Sequence, residues 1–184
     1  METSLQLSFQ RHLLPLVTAA ILFLTSTFGL HAESNGSPCM GTQEFSSPDG
    51  TLQASVIHIQ GKTGCGESHI EIRNHAAALL QTVSYTSDDG EHGWGVEKAA
   101  WTPNSEFFIF SMSSSGGHEA KHFPTFFYSR KTNNIETLEK FLRNVTVDDP
   151  GFQIRSPDTI ETSGWDTSKR QDTIIHLELH KLTK

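Results

Sequence analysis

The sequence predicts a mainly β fold: antiparallel, blade-like sheets forming an incomplete propeller or a sandwich, with one short helix. Three observations carry that expectation. Alternating apolar segments recur along the chain, Gly, Pro and Asx clusters punctuate them, and one Pro-Asx turn repeats at a nearly constant interval. The 184 residues are 35% hydrophobic and 19% charged, a globular balance with enough length for one core.

The first element is a targeting segment. Arg11 and His12 precede the apolar run Leu13 to Leu24, which Pro15 and Thr18 interrupt, and the small residue Ala32 closes the region. That run is short against the roughly 20 apolar residues a bilayer core requires, so residues 1–32 read as a signal peptide cleaved after Ala32. No Cys follows the run at lipoprotein spacing, so the expectation is a periplasmic or secreted protein with no stable membrane anchor after cleavage. Cleavage removes one acid, Glu2, and one base, Arg11, which leaves the net charge at −7. An acidic chain without a clustered basic face argues against a nucleic-acid partner.

Residues 33–46 are rich in Ser, Gly and Asn without a period, and read as a leader or linker ahead of a single β-rich domain over 47–184. Cys39 and Cys65, an even count in an exported chain, read as a disulfide. The bond would close a loop of about 26 residues, worth roughly 3–4 kcal/mol in the chain-entropy account.

Strand signals start at Gln53 to Ile59 and continue through His69 to Arg73, where Ile70 and Ile72 share one face while His69, Glu71 and Arg73 share the other. Gly61 to Gly66 reads as the loop between them. Leu79 to Tyr85 follows, then the turn Ser87-Asp88-Asp89-Gly90. The apolar run Phe107 to Met112 reads as a strand covered on both faces. Pro124 to Ser129 and Thr173 to Leu179 supply two more strands. Ile135, Leu138, Phe141 and Leu142 lie at helical spacing behind Asn133-Asn134, which predicts the single helix.

Ser47-Pro48-Asp49 recurs as Thr102-Pro103-Asn104 and Ser156-Pro157-Asp158, at intervals of 55 and 54 residues (103 − 48 and 157 − 103). Proline presets φ near −65° at the second turn position, Asp or Asn follows, and Gly50 or Ser105 completes a tight turn into a strand. A hydrophobic strand follows the first two copies. The third runs into polar Thr159-Ile160-Glu161-Thr162, so two copies are expected to act as repeats.

Phe45 to Gly50, together with Ala100-Trp101-Thr102-Pro103-Asn104 and the run into Phe110, resembles the repeat of TolB-type β-propeller blades. In that family the pattern marks the turn before a blade strand, and its Trp packs between neighbouring blades. The likeness covers two blade-sized segments, 45–86 and 96–131. Propellers close with typically 4–8 blades and this chain has room for three at most, so the resemblance implies blade-like sheets without a closed ring, in a small exported bacterial protein.

Ten histidines prompt a test for metal ligands. His176 and His180, four strand residues apart, are separated by about 13 Å, too far for one ion. The set that remains is Asp88 and His92 in one Gly-flanked loop with His118 and His122 in another; zinc is the ion such a set would hold, and without it no cofactor is expected. His118-Glu119-Ala120-Lys121-His122 spells H-E-x-x-H, but a Gly pair before it and Pro124 after it oppose the long helix a metalloprotease needs. Ser113 to Gly117 is no nucleophile elbow, no phosphate-cradling Gly loop opens a helix, and no catalytic residue is identified. Trp94, Trp101 and Trp165 read as core aromatics at strand ends. Two functions follow: a non-enzymatic binding module whose partner is another envelope protein, or a metal-binding protein or metal-dependent hydrolase on the four-residue set.

Overall fold

Each Pro-Asx turn sits at the same place in the architecture, between the first and second strand of a sheet. The computed structural model describes residues 41–62, 64–117, 119 and 121–183, with residues 64 and 65 described by backbone alone. The targeting segment 1–32, Cys39, the Cys65 side chain and His118 therefore lie outside the described residues.

The first sheet is a meander of β1 (Thr42–Ser46), β2 (Leu52–Gly61), β3 (Gly64–Asn74) and β4 (Leu79–Ser84), neighbours in that order. The second repeats it with β5 (Trp94–Trp101), β6 (Phe107–Ser114), β7 (Thr125–Ser129) and β8 (Asn134–Thr137). The third holds β9 (Val145–Arg155), β10 (Thr159–Asp166) and β11 (Gln171–Glu178). All pairings are antiparallel.

The first two turns match bond for bond. Ser47 N–H donates to Leu52 O and Leu52 N–H to Ser47 Oγ, as Thr102 N–H donates to Phe107 O and Phe107 N–H to Thr102 Oγ1. Gly50 (φ +70°) and Ser105 (φ +62°) occupy the left-handed position that ends each turn.

The third copy is also a repeat, which corrects the expectation of two. Ser156-Pro157-Asp158 joins β9 to β10. Its strand looks polar because β10 closes the stack: Ile160 and Thr162 turn to the core, while Thr159, Glu161 and Ser163 lie on the outer face. A strand with one solvated face alternates in this way.

Two hydrophobic clusters flank the middle sheet. Phe108, Phe110, Met112, Trp101 and Tyr128 pack with Ala54, Val56, Ile70 and Ile72 of the first sheet. Phe107, Ile109 and Phe127 pack with Phe152 and Ile160 of the third, and with Leu138 and Leu179. β6 is thus buried on both faces, as its unbroken apolar run predicts. Trp101 bridges sheets, donating its indole N–H to Phe45 O at 2.8 Å. Burial of each such large apolar side chain contributes roughly 1.5–3 kcal/mol.

The outward faces of the end sheets are mostly polar, with Trp165 and Ile174 as exposed apolar residues on the third. Across the first sheet, Glu44, Ser55, Glu71 and Thr82 form one cross-strand row, with Glu44 accepting from Ser55 and Gln53 and Glu71 paired to Arg73. On the third, Glu161 faces Arg155 and His176, and Ser163 donates to Asp148. Repeat arrays end in polar caps because a bare apolar face attracts further units.

Two further expectations change. β1 occupies the last five residues of the expected linker 33–46, and Phe45 packs on the first cluster. Ile135 to Leu142 is not an α-helix. Asn133 takes φ +51° in the hairpin between β7 and β8, Asn134–Thr137 pair with β7, and Leu138–Phe141 make one 3₁₀ turn capped by Thr137. The apolar residues at helical spacing serve two elements, with Ile135 reaching the first cluster and Leu138 the second.

Candidate functional site

The two histidine-bearing loops are tied together by a carboxylate that sequence reasoning passed over. Glu67, on β3, is 1% exposed. Its Oε1 accepts from Ser87 Oγ (2.6 Å), Gly93 N–H (2.9 Å) and Ser115 Oγ (3.2 Å), and its Oε2 accepts from Ser87 N–H (3.0 Å). Ser87 and Gly93 belong to the connection from β4 to β5, Ser115 to that from β6 to β7. Burial is the strongest single influence on this carboxyl and pushes its pKa up. The four donors together outweigh it and hold the group below its ordinary 4.5.

The backbone makes room for this tie. A Cβ on Gly93 would fall 2.5 Å from Tyr85 O and against the Glu67 carboxylate, and one on Gly95 would fall 2.5 Å from Gly66 O. Gly93 and Gly95 thus let the start of β5 lie close against β3, while Gly66 leaves room for Ser115. The alternation Gly93-Trp94-Gly95 at a strand start was the available signal, since glycine in a strand often marks close backbone approach.

Loop 85–93 is organised by its own side chains. Asp89 Oδ1 accepts from the N–H groups of Glu91 (3.0 Å) and His92 (3.2 Å), and Asp89 Oδ2 pairs with His92 Nδ1. The Glu91 amide first, then the His92 ring, holds Asp89 well below the ordinary carboxylate range. Lys62 N–H donates to Gly90 O at 3.0 Å, and the Lys62 ammonium lies 3.2 Å from Glu91. Asp88 is exposed on the rim of a cleft of about 450 Å³ that Lys62, Glu67, Ser87 and Asp89 also line.

The second loop docks beside it. Ser115 N–H donates to Gly93 O at 2.9 Å, and Trp94 meets the His122 ring edge-on at 5.8 Å. His122 Nδ1 bonds Glu119 Oε2 at 2.6 Å, while His122 N–H donates to Glu119 O at 3.0 Å in a single turn. Glu119 and His122 of the H-E-x-x-H letters therefore share a turn, and no α-helix occurs among the described residues.

Of the expected metal set, His92 and His122 stand on neighbouring loops, each with its own carboxylate, Asp89 and Glu119, while Asp88 faces the cleft. No group of three or more His, Cys, Asp or Glu among the described residues is arranged to hold a metal ion. His180 leaves the last strand for a 3₁₀ turn and pairs with buried Asp158 at 2.9 Å. Trp101 is core, as expected, but Trp165 is 40% exposed on the outer face of the third sheet.

Fold and site together define a three-sheet, blade-like scaffold that presents two anchored polar loops. No protein-family model and no curated protein sequence matches the chain. Among solved structures, a candidate conserved lipoprotein of Clostridium novyi NT is 13% identical with a TM-score of 0.45, over 78% of this chain and 88% of that one. The β-propeller domain of the trilobed protease of Pyrococcus furiosus, which has an open velcro topology, is 13% identical with a TM-score of 0.39, over 74% of this chain and 42% of that one.

Proposed function

We propose that this chain is an exported, non-catalytic interaction module, periplasmic or secreted, that contacts another envelope protein through loops 85–93 and 115–123. The observation that carries this reading is the Glu67 tie. One buried carboxylate fixes both loops to the sheets beneath them while their outer side chains, Asp88, Asp89, His92 and Glu119, remain exposed. Binding residues commonly sit on loops held by a rigid scaffold, and loops ordered in advance lose less entropy on association. The hydroxyls of Ser87 and Ser115 donate to a carboxylate that is buried, shared among four donors and held below its ordinary pKa, which suits it to anchoring loops better than to accepting a proton. Export rests on the Leu13 to Leu24 run and Ala32. The TolB-type turn pattern accords with a blade scaffold of this kind. Co-purification from the native envelope, with the loop side chains altered, tests the reading.

The alternative is a metal site on Asp88, His92, His118 and His122, favoured by the two His–carboxylate pairs on adjoining loops. Elemental analysis of untagged protein decides it: stoichiometric zinc or copper establishes the metal site, and its absence removes that reading.

A further inference from the structure

Among the described residues the third sheet has three strands against four in each of the others, and the strand that ends it is built for pairing. β4 and β8, the last strands of the first two sheets, carry common protections of an exposed edge: β4 pairs through a register shift at Ile72/Arg73, and β8 has four residues. β11 has neither. Its eight residues pair with β10 without a register shift, and Gln171–Glu178 contain no Pro and no Lys. Ile174, at its centre, is 59% exposed, the most exposed of the large hydrophobic residues described.

The phase of the ladder follows from two bonds. Leu179 N–H donates to Asp158 O, and Thr167 N–H to Asn144 O. Inter-strand bonds alternate along an antiparallel pair, so the even residues of β10 bond toward β11 and its odd residues toward β9. By the β10–β11 register, residues 171, 173, 175 and 177 bond inward. The backbone groups of Asp172, Ile174, His176 and Glu178 then point to the open edge.

We propose that β11 pairs antiparallel with β11 of a second copy, about a two-fold axis at Ile174. An isologous contact requires an edge complementary to itself. Side chains on one face must meet side chains on the same face, which restricts the choice of axis residue. Centred on Ile174, Asp172 of each copy lies opposite His176 of the other, Ile174 meets Ile174, and each of these pairs exchanges two hydrogen bonds. Centred on Ile175, Asp172 would face Glu178, acid against acid. Centred on Thr173, Asp172 would face the apolar Ile174. The edge is thus complementary to itself at Ile174, with a carboxylate acceptor opposite an imidazole and an apolar residue opposite its own copy, a combination the two adjacent registers do not offer. This surface belongs to the third sheet and not to the loops of the proposed function, so either idea can fail alone.

The test is the mass of the purified exported chain in solution over a wide concentration range, by sedimentation. The expected result is a concentration-dependent dimer. In Ile174→Pro the ring removes only an outward N–H, so the bonds to β10 survive, and dimerisation should weaken at least about tenfold with the melting temperature little changed. Asp172→Lys, whose cross-strand neighbour within the sheet is Trp165, should weaken it similarly by removing the carboxylate acceptor opposite His176. If Ile174→Pro does not fold, Ile174→Cys decides: the two Cα atoms of such a pair lie about 5.5 Å apart, within disulfide reach, so oxidation should link two copies. Gln153→Cys, on the far strand of the same face, should not. A single-chain mass at every concentration, a dimer indifferent to both Ile174→Pro and Asp172→Lys, or equal cross-linking at 153 and 174 overturns the proposal.

Discussion

Asp49 donates its backbone N–H to Ser105 Oγ over 3.0 Å, joining the first Pro-Asx turn to the second across 56 residues of sequence. The next link follows the same path: Asn104 Nδ2 donates to Asp158 Oδ2 of the third turn at 3.1 Å. The turns thus do more than reverse the chain. They form a polar line from sheet to sheet, and Arg130 and His180 pair with its two ends at Asp49 and Asp158.

Ser105 carries opposed effects, being 3% exposed with φ +62°. Ser105→Ala keeps the left-handed backbone cost and leaves the Asp49 N–H without its acceptor, for a loss of about 1–3 kcal/mol. Ser105→Gly loses the same bond but relieves a backbone cost of about 1 kcal/mol. Denaturant melts should therefore rank the serine above glycine and glycine above alanine. Alanine at or above glycine would refute the turn analysis.

β6 is the strand on which both clusters depend, and Phe108 and Ile109 are each 0% exposed on opposite faces. Truncating either to Ala should cost roughly 2–5 kcal/mol. His176→Ala, on the exposed face of β11, should cost less than about 0.5 kcal/mol in unfolding experiments at low concentration. The reverse order would contradict the strand facing described above.

Acid should loosen the loops. Glu67 has a folded pKa below its unfolded 4.5, so the stability it contributes is fully present above that value and declines as pH falls through 4.5 toward the folded pKa. Asp49 and Asp89 are depressed too, Asp49 by the Ser47 hydroxyl first and Asp89 by the Glu91 amide first, and lose stability in the same direction. Glu67→Gln places an amide group among four donors and should cost about 1–3 kcal/mol at neutral pH. Its melting temperature should also fall less steeply than the wild type's below pH 4.5. Parallel curves for the two proteins would show that Glu67 is not the titrating tie.

Processing gives a prediction independent of the fold. Intact-mass measurement should place the mature N-terminus at Glu33, and alkylation without reduction should label neither Cys39 nor Cys65. Protein retaining residues 1–32, or two labelled thiols, would count against the reading of an exported, oxidised chain.

Much of the fold was legible because local physics and tertiary position agree. Ile70 and Ile72 are buried while Glu71 and Arg73 pair on the other face, as strict alternation requires, and Phe107 to Met112 is covered on both sides. β10 was hidden because its outer face ends the stack, where polar residues belong. The helix behind Asn134 was misread because two elements share one apolar spacing, Ile135 facing the first sheet and Leu138 the third. In the site, the loops with His92 and His122 were visible from their Gly and His content. Glu67 was not, since a carboxylate between Gly66 and Ser68 carries no local sign that Ser87, Gly93 and Ser115 converge on it.

The most direct test of the account is quantitative co-purification from the native envelope, comparing the wild type with two variants of matched stability. One combines His92→Ala with Glu119→Ala, which removes exposed loop groups and leaves Glu67 and its donors in place. The other is Ile174→Pro, which leaves the loops intact. If the anchored loops are the contact surface, an envelope protein recovered with the wild type is recovered equally with Ile174→Pro and falls at least about tenfold with the loop variant, as the loss of two contacting side chains implies. Equal recovery of that protein with the wild type and the loop variant would contradict the central claim.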